Sequence, residues 1–125
     1  MKKILFVEDE SALQRAATQI LSEEGYQMLS ALDGEIGLRL AREEKPDLIL
    51  LDIILPKKDG FTVLTELKKD PETKAIPVIV LTNLDRSEDI ERIIGLGALT
   101  YLVKTNYELR DVVQKVKKIM ENKKK

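Results

Sequence analysis

The chain of 125 residues predicts an α/β fold in which a parallel β-sheet lies between two layers of helices. Two observations carry this prediction. Short, continuous apolar runs, of which residues 48–51 are the clearest, are typical of strands that are buried on both faces. These runs alternate with segments whose apolar residues recur at helical spacing, and this alternation predicts parallel strands joined by right-handed crossovers.

Five strands and five helices are predicted, all within one domain at residues 1–121 that a Lys-rich tail at 122–125 follows. The strands cover residues 3–7, 27–31, a run within 46–56 that ends at Asp52, 77–82 and 99–104. The helices run from Ser11 to Gly25, from the Asp33-Gly34 turn to a point before Pro46, through Phe61 and Leu67 to Asp70-Pro71, from Asp85 to Gly95, and from Thr105 through Met120.

Cap residues mark the ends of several helices. Ser11 is expected to cap the first helix, and Gly25 is expected to end it because glycine adopts left-handed conformations at little cost. Thr105 and Glu108 have the spacing of a capping box and are expected to open the last helix.

The pattern suits a flavodoxin-like, doubly wound (βα)5 sandwich with the strand order 2-1-3-4-5. In this order the winding reverses between strands one and three, and open sheets bind ligands at the carboxyl ends of the strands beside such a switch point. Those two strands end in Glu8-Asp9 and in Asp52. The sequence therefore predicts its functional site at this edge of the sheet.

Composition excludes several kinds of chemistry. The chain has no cysteine and no histidine, so disulfides, thiolate chemistry, a Cys/His zinc site and a histidine acid or base are ruled out. A formal net charge of −1 offers no basic field for direct nucleic-acid binding. The apolar run after Lys3 is too short for a signal peptide or a membrane span, so we expect a cytoplasmic protein without membrane insertion.

Four predicted strands deliver polar side chains to the same edge of the sheet. These side chains are Glu8, Asp9, Asp52, Thr82 and Lys104. Three carboxylates so close together repel strongly unless a cation lies among them. Oxygen ligands without sulfur or imidazole favour Mg²⁺, which takes one or two carboxylates and shares phosphate oxygens.

A phosphoryl group explains the remaining side chains at this edge. The Lys104 ammonium and the Thr82 hydroxyl are suitable donors to phosphoryl oxygens, which leaves Asp52 as the nucleophile. Carboxylates attack phosphorus to form aspartyl phosphates, with a metal ion and an ammonium neutralising the transferred group.

With these motifs the chain resembles the receiver domains of the two-component response-regulator family, and in particular the single-domain chemotaxis-type receivers. The resemblance covers nearly the whole chain. It is carried by Glu8-Asp9, Asp52, the Pro-Lys-Lys-Asp-Gly loop at 56–60, Thr82, Tyr101 and Lys104.

The resemblance implies that Asp52 accepts a phosphoryl group from a phosphohistidine on a sensor histidine kinase or a histidine phosphotransfer protein. Mg²⁺ would be held by Glu8, Asp9, Asp52 and the backbone carbonyl of Ile54. Because the chain has no histidine, the donor must be another protein or a small phosphodonor. The domain would catalyse only its own phosphorylation and dephosphorylation, and so would not be an enzyme in the ordinary sense.

The resemblance also implies a switch pair, Thr82 and Tyr101. The phosphoryl group would draw the Thr82 hydroxyl inward and let the Tyr101 ring follow, which changes the surface of the fourth helix, fifth strand and fifth helix. That surface is the expected contact face for an output protein or a phosphorylation-dependent homodimer. Its charged residues, either contacts or solvated groups, are Arg86, Glu88, Glu91 and Arg92.

The chain departs from the family pattern beside the site. Thr105 follows Lys104 where the family usually has a proline with a cis bond, which leaves the Lys104-Thr105 bond open to either isomer. Asn83 stands where most members have a small residue. Ile54 and Leu84 flank the route of an attacking water and are apolar, which predicts slow self-dephosphorylation.

Two alternative functions stay open. A degenerate receiver would act as a phosphorylation-independent interaction module. A phosphohydrolase resembling the haloacid-dehalogenase group would need a second Asp two residues after the nucleophile, where this chain has Ile54. The sequence names neither the kinase nor the output protein, and it leaves open whether the chain is a stand-alone protein or one domain of a longer one.

Overall fold

The structure, a computed structural model, describes residues 1–123, with side chains described through Glu121. Within these residues, five strands alternate with five α-helices. The strands are β1 (Lys3–Val7), β2 (Gln27–Ala31), β3 (Leu48–Leu51), β4 (Val78–Thr82) and β5 (Thr100–Val103). The helices are α1 (Ser11–Glu23), α2 (Gly34–Glu44), α3 (Gly60–Lys69), α4 (Ser87–Gly95) and α5 (Leu109–Lys123), and a 3₁₀ turn (Lys104–Asn106) precedes α5.

The five strands form one parallel sheet in the order β2-β1-β3-β4-β5, which confirms the predicted doubly wound fold. In the register between β1 and β3, Val7 pairs with Leu51. Glu8 and Asp52 follow that pair on adjacent strands. The backbone ladder therefore brings the two predicted acidic strand ends together.

The strand β3 is apolar throughout because helices cover both faces of the sheet. Leu48 and Leu50 pack into a core cluster shared with α1 and α5. Ile49 and Leu51 pack into the other cluster, with residues of α2, α3 and α4. Successive side chains of a strand point to opposite faces, so a strand buried between two helical layers needs an unbroken apolar run.

Two of the predicted caps were wrong. Glu10 occupies the N-cap position of α1 without a side-chain hydrogen bond, and Ser11 is the first helical residue. Thr105 lies in the 3₁₀ turn, and the capping contact forms three residues later, where the Glu108 N–H donates to Asp111 Oδ2 at 3.0 Å. The turn that follows β5 contains Thr105, so that residue does not open the helix.

Smaller differences concern where elements begin and end. The helix α4 begins at Ser87 rather than at Asp85, and β5 ends at Val103, so Lys104 follows the strand instead of closing it. The predicted tail begins inside α5, and residues 124–125 lie outside the described part of the chain. In the part that is described, no helix combines the length and the apolar character that crossing a membrane requires.

Two glycines let helices begin directly against the loop that follows β3. A Cβ atom on Gly34, at the start of α2, would overlap the backbone of Lys58. A Cβ atom on Gly60, at the start of α3, would overlap the carbonyl oxygen of Asp52 and the Cα of Ile53. The loop after Asp52 is therefore enclosed by two helices whose first residues are glycines.

We predict that Gly60→Ala lowers the free energy of unfolding by about 1–3 kcal/mol, the usual cost of overpacking a site whose backbone cannot yield. Gly95→Ala is the matched control, because nothing lies within 4 Å of a Cβ atom there. It should leave stability unchanged or raise it by up to about 1 kcal/mol, since alanine favours helix over glycine. Urea denaturation followed by circular dichroism measures both, and equal stabilities of the two variants would contradict the prediction.

Candidate functional site

Four of the predicted site residues meet at the carboxyl edge of the sheet. Glu8 and Asp9 follow β1, Asp52 follows β3, and each offers a carboxylate oxygen within 4.8 Å of the other two. Lys104, after β5, lies with its Nζ 2.5 Å from Glu8 Oε1 and 3.1 Å from Asp52 Oδ2. One ammonium therefore bridges two of the three carboxylates.

The two carboxylates that this ammonium bridges are buried. Glu8 is 1% exposed and Asp52 is 4% exposed, whereas Asp9 faces solvent. Burial raises the pKa of Glu8, against the opposing effect of its contact with Lys104. Burial also acts to lower the pKa of Lys104, but its contacts with Glu8 and Asp52 outweigh burial and raise it. Lys104 therefore stays charged, and it balances only part of the negative charge around it.

Backbone N–H groups hold one oxygen of each buried carboxylate. Asp52 Oδ1 accepts a hydrogen bond from the Ile53 N–H at 2.7 Å and a longer one from the Ile54 N–H at 3.4 Å. Glu8 Oε2 accepts from the Glu10 N–H at 3.1 Å. In both residues the second oxygen is the one that faces Lys104. The two carboxylates are thus fixed in orientation by their own loops.

The donor set fits a divalent cation that prefers oxygen, and Mg²⁺ above all. Ligands of Mg²⁺ lie about 3 Å apart when adjacent and about 4.2 Å apart when opposite, so the three carboxylates would draw closer together to share one ion. The predicted fourth ligand is the carbonyl of Ile54. Among the described residues that carbonyl accepts no hydrogen bond, so it is available to a cation.

Thr82 and Tyr101 lie on one face of the sheet. Thr82 is the buried last residue of β4, and its Oγ1 accepts a hydrogen bond from the Leu84 N–H at 3.4 Å. Val80, two residues before Thr82, pairs with Tyr101 of β5. Because alternate residues of a strand share a face, Thr82 and Tyr101 point to the same side, and Tyr101 packs against the core cluster that includes Ile93 of α4.

The loop after Lys104 borders a cleft between α1 and α5. The described backbone has no cis peptide bond, so the Lys104-Thr105 bond is trans. Asn83, Lys104 and Tyr107 line the cleft, which has a volume of about 230 Å³. Tyr107 was not among the predicted site residues. Its half-exposed ring lines the cleft beside Lys104 because of the course of the 3₁₀ turn. The sequence pattern did not indicate that turn.

Gln14 is a second residue beside the site that was not predicted from the sequence. It shares the buried face of α1 with Ala17 and Leu21 and donates hydrogen bonds to backbone carbonyls at the ends of β1 and β2. The available signal was an amide side chain at a position where the helical period requires an apolar residue.

Arg92, one of the charged residues predicted on the fourth-helix surface, also contacts the neighbouring helix. Its guanidinium lies 3.8 Å from the centroid of the Phe61 ring, on the side of α4 that faces α3. A cation over an aromatic ring is attracted by the negative face of the ring. Arg92 therefore links two helices while it stays exposed at the surface of α4.

Comparison with known proteins identifies the family. The family model for the response regulator receiver domain matches residues 4–117. Protein PilH of Pseudomonas aeruginosa is 42% identical over 104 residues, which cover 83% of this chain and 86% of PilH. Several other curated relatives are transcriptional regulators, and the chain spans less than half of their length.

Solved structures agree with the family model. The receiver domain protein (CheY-like) of Methanospirillum hungatei JF-1 has a TM-score of 0.91 at 29% identity, over 99% of this chain and 97% of that one. The Mn²⁺-bound form of response regulator Rcp1 has a TM-score of 0.81 at 35% identity, over 95% and 91% of the two chains.

The sheet order and the cluster of Glu8, Asp9 and Asp52 are thus found in a chain that the family model matches almost from end to end. The chain belongs to the receiver domain family of two-component response regulators.

Proposed function

We propose that this chain is a phosphorylation-dependent switch in which Asp52 accepts a phosphoryl group in a Mg²⁺-dependent reaction. The donor is a phosphohistidine on a sensor histidine kinase or a histidine phosphotransfer protein in the cytoplasm. The observation that carries the proposal is the buried Asp52 carboxylate, with one oxygen held by backbone N–H groups and the other facing Lys104. The receiver domain is taken as residues 1–121, with 122–125 as a tail.

The two oxygens of the Asp52 carboxylate have different roles. Oδ1 is engaged by N–H donors, so Oδ2 is the nucleophile that attacks phosphorus as the bond to the donor histidine breaks. Lys104 then moves its ammonium from Oδ2 to an oxygen of the transferred group. The Thr82 hydroxyl donates to another of those oxygens. Glu8, Asp9, Asp52 and the Ile54 carbonyl would hold Mg²⁺, which would supply further charge neutralisation to the phosphoryl group.

Similarity to other proteins supports the metal requirement. Rcp1, a response regulator of the same fold, has a Mn²⁺-bound form. Mn²⁺ and Mg²⁺ both favour carboxylate and carbonyl oxygens. In this chain those donors are Glu8, Asp9 and Asp52, whose oxygens converge within the reach of one ion.

Incubation with acetyl phosphate and Mg²⁺ should add one phosphoryl group to the wild-type chain, as measured by intact mass spectrometry. Asp52→Asn should abolish the adduct because the amide is a poor nucleophile, and EDTA should abolish it because the repulsion of the carboxylates is then uncompensated.

The matched control is Asp59→Asn. Asp59 caps α3 with a hydrogen bond from the Thr62 N–H at 2.9 Å, and asparagine caps as well as aspartate, so this variant should be labelled like the wild type. An adduct that survives Asp52→Asn would contradict the proposal. A wild type that takes up neither acetyl phosphate nor beryllofluoride would favour the phosphorylation-independent interaction module.

The signal would leave through the surface of α4, β5 and α5. Thr82 and Tyr101 share the sheet face that packs on α4, so inward motion of the Thr82 hydroxyl opens space that the Tyr101 ring can occupy. Exposed acids on α4, Glu88 and Glu91, and lysines on α5, Lys115 and Lys118, give this surface charges of both signs. Such a surface suits an output protein or an isologous homodimer, whose two copies can pair acid with base.

With beryllofluoride as a stand-in for the phosphoryl group, amide resonances of α4, β5 and α5 should shift in ¹H–¹⁵N spectra of the wild type. Thr82→Ala should lose most of these distant shifts and keep those around Asp52, because the hydroxyl that couples the two regions is gone. Thr82→Ser keeps the hydroxyl and should behave like the wild type. Unchanged distant shifts in Thr82→Ala would exclude the switch pair.

We expect the phosphorylated state to be long-lived. Ile54 is 60% exposed beside the site, and its side chain cannot hold a water molecule by hydrogen bonding. Ile54→Asn should speed the loss of the phosphoryl group about tenfold or more, since orienting an attacking water is worth at least that factor. Ile54→Val is the control. Phosphoryl release measured by mass spectrometry over time tests this, and a wild-type lifetime of a few seconds would refute it.

A further inference from the structure

Gln14 is an amide side chain that is almost completely enclosed beside the cluster of acids. It is 5% exposed, and its Nε2 lies 2.7 Å from the Phe6 carbonyl oxygen, 3.0 Å from that of Ala31 and 3.2 Å from that of Glu8. The two hydrogens of one NH₂ group are thus shared among three carbonyls at the ends of two neighbouring strands.

The opposite end of the same amide has no partner. Among the described residues, Gln14 Oε1 is buried without a hydrogen-bond donor. Rotating the amide by half a turn would place this oxygen against three carbonyl oxygens, so the orientation is fixed by its surroundings. A buried acceptor without a donor is unfavourable, but the reversed amide would also leave the Glu8 carbonyl without a donor among the described residues.

The Glu8 carbonyl is the contact that bears on the metal site. It belongs to the peptide group that joins Glu8 to Asp9, and within the described chain Gln14 is its only hydrogen-bond donor. On the other side of Glu8, its N–H donates to the Ala31 carbonyl at 2.9 Å, the same carbonyl that Gln14 contacts. Gln14 and β2 together therefore fix the backbone from which both acidic side chains project.

We propose that Gln14 is a positioning residue for the cation site: it holds the Glu8–Asp9 peptide so that both carboxylates point at the ion that Asp52 also binds. The inference rests on the Mg²⁺ binding proposed above. Gln14 does not touch the ion, and it acts through the backbone of its two ligands. Hydrogen-bond partners of metal ligands typically contribute about 10- to 100-fold to metal affinity.

The test is a Mg²⁺ titration of Gln14→Met followed by ¹H–¹⁵N spectra. Methionine has nearly the same length and no donor, so the Glu8–Asp9 peptide loses its anchor while the helix face stays filled. The Mg²⁺ dissociation constant, read from the shifts of the residue 8 to 10 amides, should rise about tenfold. Gln14→Asn, which keeps the amide but is one methylene shorter, should weaken binding as well and serves if the methionine variant does not fold.

A remote variant separates positioning from general loss of stability. Thr73→Val removes a buried hydroxyl that donates to the Leu67 carbonyl at 2.7 Å, at the far end of α3. It should lower the urea midpoint and leave the Mg²⁺ affinity unchanged. Equal Mg²⁺ affinities of Gln14→Met and wild type would overturn the positioning role while leaving the proposed phosphorylation intact. A wild type that shows no Mg²⁺ response would overturn the proposed metal chemistry, and the role of Gln14 with it.

Discussion

The site depends on one ammonium group that has to cross the sheet. Lys104 follows β5, whereas Asp52 follows β3 and Glu8 follows β1, so at least one strand, β4, lies between the lysine and each acid. Neighbouring strands are about 4.8 Å apart, and the Lys104 side chain therefore has to extend over the end of β4. Thr82, which ends β4, is small enough to leave that route open. A long side chain at position 82 would separate the ammonium from both carboxylates.

The loop after Asp52 is as constrained as the strands. The Gly34 N–H donates to the Pro56 carbonyl at 3.3 Å, and the Gly60 N–H donates to the Ile53 carbonyl at 2.7 Å. Between them Lys57 adopts a left-handed backbone with φ 69°, which an L residue takes only where its surroundings require it. Two helix N-termini thus hold the segment that carries Ile54, and the predicted carbonyl ligand is presented by rigid backbone.

The sequence predicted what depends on periodicity and burial. Apolar runs such as that of β3 indicate strands between two helical layers, and once the strand order is known the acids after β1 and β3 have to meet. Contacts that arise only when distant elements pack were not predictable. The Lys104 contact with Glu8, the stacking of Arg92 on Phe61 and the three hydrogen bonds of Gln14 leave no local pattern. The cap predicted at Thr105 was wrong because a 3₁₀ turn at residues 104–106 contains that residue.

The contacts of Lys104 connect cation binding at the site with the proposed phosphoryl transfer. Glu8 Oε1 faces the ammonium in the structure, and a cation bound at the same carboxylate would repel that ammonium. A cation bound by Glu8 and Asp9 would therefore weaken the contact of Lys104 with Glu8 and leave the ammonium to Asp52 and to an incoming phosphoryl group. In the proposed reaction, a phosphoryl group on Asp52 would add negative charge beside the acids and would favour binding of the cation. Cation binding and phosphorylation are thermodynamically linked, and a single coupling free energy describes the effect of each on the other. The cation and the phosphoryl group should therefore stabilise each other at the site.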